Sequence, residues 1–410
     1  MTTPHCRFCD KPLTHTFVDL GKTPLANSYL DAESLKKPEP SFPLHARVCS
    51  VCFLVQVESV VPAEFIFEHY AYFSSYSTSW VAHAKAFTEM AVQRFGLGIQ
   101  SKVVEIASND GYLLRHFVDK GVPCLGVEPA KNVAEVAVEA GVPTEVRFFG
   151  RETAKLLLDR DGPADLMVAN NVLAHVPDLN DFVGGFKILL APKGVICVEF
   201  PHLLKLIEQV QFDTIYHEHY CYYSLVALDR IFKAHGLCLF DVEELPTHGG
   251  SLRIFVSHAD AAPAETECLK AVKAREKQAK LDSLEGYTGF SEQVNVVCKS
   301  LKAFLKDAKQ QSKKVVAYGA AAKGNTLLNV CGIGPDLIDY VVDRNPHKQN
   351  TWLPGSHIPV KAPEQIAETR PDYLLILPWN LADEIRGQMQ EITGWGGQFV
   401  AAIPTTRVLS

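Results

Sequence analysis

Two groups of residues in this chain have the types and spacing to do chemistry. The first is a set of thiols, Cys6-Arg7-Phe8-Cys9 and Cys49-Ser50-Val51-Cys52. A C-x-x-C turn presents two sulfurs to one ion from a tight knuckle, and two such turns complete the tetrahedral thiolate set that zinc prefers. A redox pair is the competing reading, but four cysteines in paired spacing favour metal. A full set of thiolates leaves no open coordination position, so Cys6, Cys9, Cys49 and Cys52 are expected to hold a structural zinc. His5 and His45 lie near enough in sequence to replace one of them.

The second group is Phe212-Asp213-Thr214-Ile215-Tyr216-His217-Glu218-His219-Tyr220, the stretch most crowded with titratable and aromatic side chains. An imidazole titrates near neutral pH, and an adjacent carboxylate such as Glu218 can fix its tautomer and raise its basicity. His217 and His219 have no third ligand nearby that would make them a metal site. Two further histidine loops are candidates for the same crevice. His175 lies five residues beyond Asn170, which ends a strand, and His248 stands in Thr247-His248-Gly249-Gly250, a turn leading into another.

The elements that must position these loops read as a doubly wound α/β sheet. Lys102 to Ile106 is a short run of β-branched residues without polar alternation, as a buried parallel strand requires. It leads into Ala107-Ser108-Asn109-Asp110-Gly111 and a helix with Leu113, Leu114, Phe117 and Val118 on one face. A second strand, Cys124 to Val127, ends at Glu128, where an acid can accept hydrogen bonds from both hydroxyls of a ribose. Asp165 to Asn170 and Gly194 to Glu199 supply further strands. Leu237 to Glu243 and Ser251 to His258 would form an antiparallel edge. The first turn has no G-x-G-x-x-G, and Asn109 and Asp110 crowd the place where a pyrophosphate would approach the backbone. A ligand with adenosine but no phosphate suits it better, and S-adenosylmethionine is that ligand.

Toward the C-terminus, Val294, Val297, Leu301, Phe304, Leu305 and Ala308 recur at helical spacing and predict a long connecting helix. Lys314 to Tyr318 then runs into Gly319-Ala320-Ala321-Ala322-Lys323-Gly324, and Ile338 to Val342 ends at Asp343. This is half of a dinucleotide fold, but Ala321 replaces the central glycine and argues against NAD. A helix N-terminus with Lys323 beside it can still attract a diphosphate, and Lys348 and Asn350 are further candidate contacts. Between the cysteine pairs, Pro24, Pro38, Pro40 and Pro43 favour irregular backbone over helix.

The composition narrows the function classes. In 410 residues, 40 Lys and Arg oppose 47 Asp and Glu, giving a net charge of −7, with 47% apolar and 21% charged residues. No basic patch is visible that could grip nucleic acid, and no apolar run reaches the ~18 residues of a membrane span. The opening Met1 to Cys6 has neither the basic nor the apolar region of a secretory signal. Eleven cysteines without an export signal point to a reducing, cytoplasmic setting. The expected partner is a small molecule, and the expected assembly a monomer or small homo-oligomer.

Taken together, these motifs resemble the S-adenosylmethionine-dependent sugar C-methyltransferases that act at C3 of nucleotide-linked 4-keto-deoxysugars. The carriers are the two C-x-x-C pairs, Tyr72 to Ser79, Glu105 to Gly111, Asn170-Asn171 with His175, and Tyr216 to His219. His248 to Gly250, Gly319 to Lys323 and Asp343 to Asn350 complete them, so the resemblance spans essentially the whole chain. It implies a zinc domain (1–72), a class I methyltransferase core (73–262) and a second Rossmann-like domain (263–410) for the nucleotide-sugar, thymidine-linked in the family. It also implies that His219 is the base, with Tyr216, Glu218 and His175 around the reacting carbon. The cofactor would lie against Glu105, Ala107, Asn109, Asp110, Glu128, Asn170 and Asn171. Tyr72, Tyr76, His248, Lys323, Lys348 and Asn350 are the candidate substrate contacts. One departure stands out: the family commonly has Gly where this chain has Ala107.

The chemistry agrees with that resemblance. A 4-keto group acidifies the neighbouring C3–H, a neutral imidazole can remove the proton, and a phenol or imidazole can stabilise the oxyanion. The carbon then takes the methyl from sulfonium in line, with no metal needed. The rival readings are O-methylation or epimerisation of a related nucleotide-sugar, an NAD-dependent oxidoreductase using the C-terminal sheet, and a non-catalytic binding module.

Overall fold

The structure, a computed structural model, describes residues 3–58 and 73–409. The N-terminal segment carries strands β1 (His15–Thr23), β2 (Phe42–Val48) and β3 (Val55–Val57), paired antiparallel. Between the cysteine pairs, residues 24–41, which hold Pro24, Pro38 and Pro40, are largely irregular as the prolines imply, while the flanking stretches form β1 and β2, which the prolines do not suggest. The apolar residues decide β2: Leu44, Ala46 and Val48 are buried in alternation with His45 and Arg47. The prolines keep to the margins, with Pro24 just beyond β1 and Pro43 near the start of β2, where a missing N–H is tolerated.

The central sheet is built from β4 (Val103–Ile106), β5 (Cys124–Val127), β6 (Thr144–Glu145), β7 (Ala164–Asn170) and β8 (Leu190–Pro201), all parallel. The next strand, β9 (Cys221–Tyr222), leaves this sheet and pairs with β3 of the N-terminal segment. The chain then returns through β10 (Leu237–Leu245) and β11 (Ser251–His258), and β11 closes antiparallel against β8. The order is β10-β11-β8-β7-β4-β5-β6, the antiparallel edge expected above. From β4 the chain crosses to β5 on one side, while β7 lies on the other. That reversal opens a crevice at the strands' carboxyl ends, where open α/β sheets bind ligands. Helix α1 (Thr78–Phe95) leads into the sheet, capped at its start by the Ser77 hydroxyl and ended by Gly96 in the left-handed region.

Two helices, α2 (Glu267–Gln278) and α3 (Phe290–Gln310), connect to the C-terminal sheet. As the spacing predicts, α3 buries Val294, Val297, Leu301, Leu305 and Ala308. The sheet consists of β12 (Val315–Tyr318), β13 (Val341–Val342), β14 (Val360–Lys361), β15 (Tyr373–Ile376), β16 (Gln398–Ala401) and β17 (Arg407–Leu409), in the order β14-β13-β12-β15-β16-β17. Helix α4 (Ala322–Cys331) follows β12. One apolar core joins the N-terminal sheet, α3 and the C-terminal sheet, and Phe17 of β1 stacks on Phe290 of α3 with centroids 4.5 Å apart. Among the described residues no helix is long and apolar enough to cross a membrane.

Candidate active site

The sulfurs of Cys6, Cys9, Cys49 and Cys52 all lie within 4.8 Å of one another. Three of the separations are 3.4, 3.5 and 3.7 Å, close to the edge of a tetrahedron with Zn–S bonds of ~2.3 Å. No other donor is needed to complete the set, so the residues present fit a structural zinc. Gln56 Nε2 donates to Cys6 Sγ at 3.2 Å and ties the cluster to β3.

At the head of β4, carboxyl groups gather around the first turn. Ala107 and Asn109 both have positive φ, 54° and 51°. Asparagine tolerates that region, but alanine there is strained by about 1–2 kcal/mol. This gives a backbone reason for the glycine that the family commonly carries at the position of Ala107. Gly111, with φ of 74°, would bring a Cβ to 2.9 Å from Val142, so the turn needs glycine twice over. Glu128 accepts from the backbone N–H groups of Asn109 and Ala130, each at 2.9 Å, which leaves a lone pair on each oxygen for a ligand hydroxyl. Asn109 Oδ1 and Asp110 Oδ2 accept from the N–H groups of Ser74 and Ser75. Glu105 is 1% exposed with Tyr112 beside its carboxyl, and Asp110 Oδ1, Asn170 Oδ1 and both side-chain polar atoms of Asn171 lack a hydrogen-bond partner. Buried polar atoms in that state suit a ligand that brings an ammonium, a sulfonium and ribose hydroxyls. Burial, reinforced by Glu128 and Asp110, raises the Glu105 carboxyl well above its ordinary range, and burial lifts Glu128 to about 6.

The other end of the crevice is lined by imidazoles. The short turn Phe212–Thr214 delivers the Thr214 carbonyl to His219 Nδ1 at 2.9 Å. A carbonyl only accepts, so Nδ1 carries the proton and the lone pair resides on Nε2. Tyr216 Oη donates to that nitrogen at 2.8 Å, with the two rings 4.0 Å apart. The tautomer is therefore set by Thr214 and not by Glu218, which faces away: its Oε1 accepts from Asn27 Nδ2 at 2.7 Å. Tyr216 to His219 form a tight turn closed by the His219 N–H on the Tyr216 carbonyl at 2.9 Å, so Glu218 at its corner leaves on a different side from His219, and neighbourhood in sequence misleads here. Burial raises the Glu218 carboxyl to about 7. Burial, with His175 and His248 adding to it, holds His219 well below the usual imidazole range.

His175 lies on the turn Leu173–His175 after β7, its ring edge-on to His219 with centroids 4.7 Å apart. Burial depresses it to about 4. His248 reaches its place through a left-handed backbone (φ 53°), 5.5 Å from the ring of Trp80, and burial holds it too at about 4. His217 is buried against β2, with Nε2 3.2 Å from the Pro43 carbonyl. Sequence reasoning missed several neighbours: Asn27, Trp80, and His83, whose Nε2 lies 2.9 Å from Glu199. None of them belongs to a recognisable local motif, and only the fold brings them to the crevice.

Three family models match the chain: "Putative zinc binding domain" over residues 6–67, "Methyltransferase domain" over 80–241 and "C-methyltransferase C-terminal domain" over 246–404. The curated C-methyltransferase NovU of Streptomyces niveus is 36% identical over 405 residues, covering 99% of this chain and 96% of NovU. The chain belongs to the C-methyltransferase family. Among solved structures, magnesium protoporphyrin IX methyltransferase of Synechocystis PCC 6803 with bound S-adenosylmethionine aligns over 49% of this chain and 100% of its own, at 13% identity and a TM-score of 0.36. An S-adenosylmethionine-dependent methyltransferase of Anabaena variabilis aligns over 52% and 99%, at 12% identity and a TM-score of 0.36.

The remaining candidate residues of this C-methyltransferase are distributed unevenly. Lys348 Nζ bonds the Ala320 carbonyl at 2.7 Å and lies 5.2 Å over the ring of Tyr29, near Glu218, whose ionised form its charge favours. Asn350 sits in a left-handed turn (φ 63°) with its N–H bonded to Val360 and its side chain exposed, so it is not gathered with the others. Tyr76 is 66% exposed and stacks on Phe73. Tyr72 lies outside the described residues.

The carboxyl cluster gives this C-methyltransferase a testable pH dependence. A cationic cofactor favours ionised Glu105 and Glu128, whose raised pKa values leave them protonated in acid. Affinity for S-adenosylmethionine is expected to fall as pH drops below about 6, by up to about tenfold per unit through Glu128 and more where Glu105 is protonated too, with protons released on binding in that range. Calorimetry in buffers of different ionisation enthalpy checks this. A dissociation constant and heat that ignore pH and buffer would refute it.

Proposed function

We propose that this S-adenosylmethionine-dependent C-methyltransferase acts at C3 of a nucleoside-diphosphate-linked 4-keto-6-deoxysugar, thymidine-linked as in the family it resembles. The observation that carries this reading is the state of His219: a neutral imidazole with its one lone pair on Nε2, facing the Tyr216 hydroxyl. A carbon must become a nucleophile before it can accept a methyl, and that requires a base able to take a proton from a C–H acidified by a ketone.

In this reading Nε2 of His219 receives the proton, with Tyr216 as hydrogen-bonding partner of the same nitrogen. His175, neutral and in ring contact with His219, faces the same carbon. Glu218, joined to Asn27, lines the sugar side. Glu105, Glu128, Asn170 and Asn171 orient the cofactor, with Ala107, Asn109 and Asp110 shaping its turn. When bound, S-adenosylmethionine supplies an electrophilic methyl on a positively charged sulfur. The chain's own part is to hold carbon and methyl in line in a site shielded from water, which accounts for much of the acceleration. Cys6, Cys9, Cys49 and Cys52 would hold a structural zinc that takes no part in these steps.

The test is mass spectrometry of a panel of nucleotide-linked 4-keto-deoxysugars incubated with enzyme and S-adenosylmethionine. The expected product has one hydrogen replaced by methyl, and fragmentation puts it on ring carbon C3. Methylation on oxygen, or hydrogen exchange at C3 without any mass gain from methyl, would favour the O-methyltransferase or epimerase instead. No methyl transfer to any member, with S-adenosylmethionine demonstrably bound, would mean the acceptor class is wrong.

A further inference from the structure

The turn from Gly319 to Lys323 has in sequence the look of a diphosphate cradle, but its groups are otherwise engaged. The Ala320 N–H donates to Asp343 Oδ2 at 2.8 Å, and the Ala320 carbonyl accepts from Tyr29 Oη at 2.5 Å and from Lys348 Nζ at 2.7 Å. A carboxylate bonded at the turn repels phosphate. Lys323 leaves in another direction. Its Nζ lies 2.7 Å from Asn380 Oδ1 and 4.8 Å from the centre of the Trp379 ring. Trp379 Nε1 donates to Asp213 Oδ2 at 2.7 Å, and Asp213 directly precedes Thr214, whose carbonyl orients His219. The far edge of the same indole covers Gly249, beside His248, so closely that any side chain there would collide with it. Lys323 thus stands where the Tyr216–His219 loop, the His248 turn and the Trp379-Asn380 turn meet. Its charge is felt at His219, at His248 and at Asp213.

Around a forming oxyanion the described residues offer imidazoles, the Tyr216 hydroxyl and the Lys323 ammonium, while Lys348, a second buried ammonium, is held by the Ala320 carbonyl and lies toward Glu218. His175 and His248 are neutral near pH 7, since burial holds both at about 4, so neither provides a fixed positive charge. Asp213, the buried carboxyl nearest the lysine, is turned into the indole N–H. We infer that Lys323 is a catalytic residue, its ammonium donating to the acceptor's ketone oxygen and holding the oxyanion that forms as the neighbouring carbon loses its proton to His219. This rests on the ketone acceptor proposed above. The C–H bond breaks, its proton goes to Nε2, and its electron pair moves through the new C=C bond onto oxygen. As the carbon bonds to the methyl, the pair returns, the ketone is restored, and the sulfur keeps the electrons of the broken S–CH3 bond to become a neutral thioether. The proton on His219 then passes to water. Trp379 and Asp213 are positioning residues that keep the ammonium over the crevice.

The experiment measures two quantities in the parent, Lys323→Met and Lys323→Arg enzymes. One is methyl transfer to the 4-keto nucleotide-sugar. The other is solvent-deuterium exchange at its acidic carbon with S-adenosylhomocysteine replacing the methyl donor. For Lys323→Met, kcat and the exchange rate are expected to fall together by about 10²–10³-fold, the usual effect of removing one oxyanion donor, with KM for the nucleotide-sugar within a few-fold of the parent. Lys323→Arg, which keeps a charged donor, is expected to recover part of both rates. If Lys323→Met does not fold, an arginine variant that folds yet raises KM alone overturns the assignment. A methionine variant with near-parental kcat but greatly raised KM also overturns it, in favour of a phosphate-holding lysine. A reactive parent with equally fast exchange in Lys323→Met removes the role alone. An unreactive parent overturns the ketone acceptor and this role with it.

Discussion

Replacing His219 by Asn is expected to lower kcat for methyl transfer by about 10²–10⁴-fold, the range a positioned base contributes, while S-adenosylmethionine still binds. The carboxyl cluster that would hold the cofactor is carried by β4, β5 and β7, and none of its hydrogen bonds involves His219. The pH profile supplies a second readout. A base works when neutral, and burial depresses His219, so its neutral form persists as pH falls past the ~6.5 of a free imidazole. With S-adenosylmethionine saturating at every pH, the acid limb of kcat/KM for the nucleotide-sugar due to His219 should therefore appear only below about pH 6.5 in the parent and be missing in the Asn variant. Tyr216→Phe should show a smaller loss, since it removes the hydroxyl that covers Nε2 and leaves the nitrogen in place. An Asn variant within about fivefold of the parent would move the base elsewhere, and His83, bonded to Glu199, would be the next side chain to test.

The second large effect concerns the metal. Pure folded enzyme is expected to contain one zinc per chain, and Cys52→Ser to lose it together with several kcal/mol of stability, because metal-binding free energy at a thiolate cluster is largely folding free energy. The damage should be selective. Arg7, inside the first C-x-x-C turn, donates to the Val57 carbonyl at 2.8 Å and lies 4.7 Å over the ring of Tyr220, next to His219. Gln56 joins Cys6 to β3, and β3 pairs with β9 just beyond the same loop. Methyl transfer should therefore fall much further than cofactor affinity in any Cys52→Ser protein that remains folded. Elemental analysis and thermal unfolding check the first part, and S-adenosylmethionine titration of the folded variant checks the second. A zinc-free parent with full stability would overturn the metal staple altogether.

Residues whose role is local were legible from sequence. The β-branched run at Val103, the periodicity of Val294 to Ala308 and the paired cysteines each carry their geometry within a few positions, and the structure has a strand, a helix and a sulfur cluster there. Strand β2 was obscured by Pro43, which marks a strand margin as readily as a loop, and β1 by bulges that break its alternation. The partners that tune the site were out of reach for a different reason. Thr214 acts through a backbone carbonyl, which every residue has, so its type gives no signal. Asn27 meets Glu218 across 191 positions and Trp379 meets Asp213 across 166, separations that only tertiary packing closes. Lys323 was found as a charge, but the direction in which it leaves its turn depends on Trp379 and Asn380 in a later loop.

Strand β9 has a consequence for how such an enzyme can be recombined. Although it falls within the stretch that matches the methyltransferase domain, its hydrogen bonds belong to the sheet of the N-terminal segment, through Val55 opposite Tyr222 and Gln56 opposite Cys221. The three parts are therefore not interchangeable beads. A chimera that imports residues 3–58 from a relative breaks this seam unless it also imports Tyr220 to Tyr223, and with them the framing of His219. A change among residues 3–58 can therefore reach the His219 loop through this seam without touching a ligand.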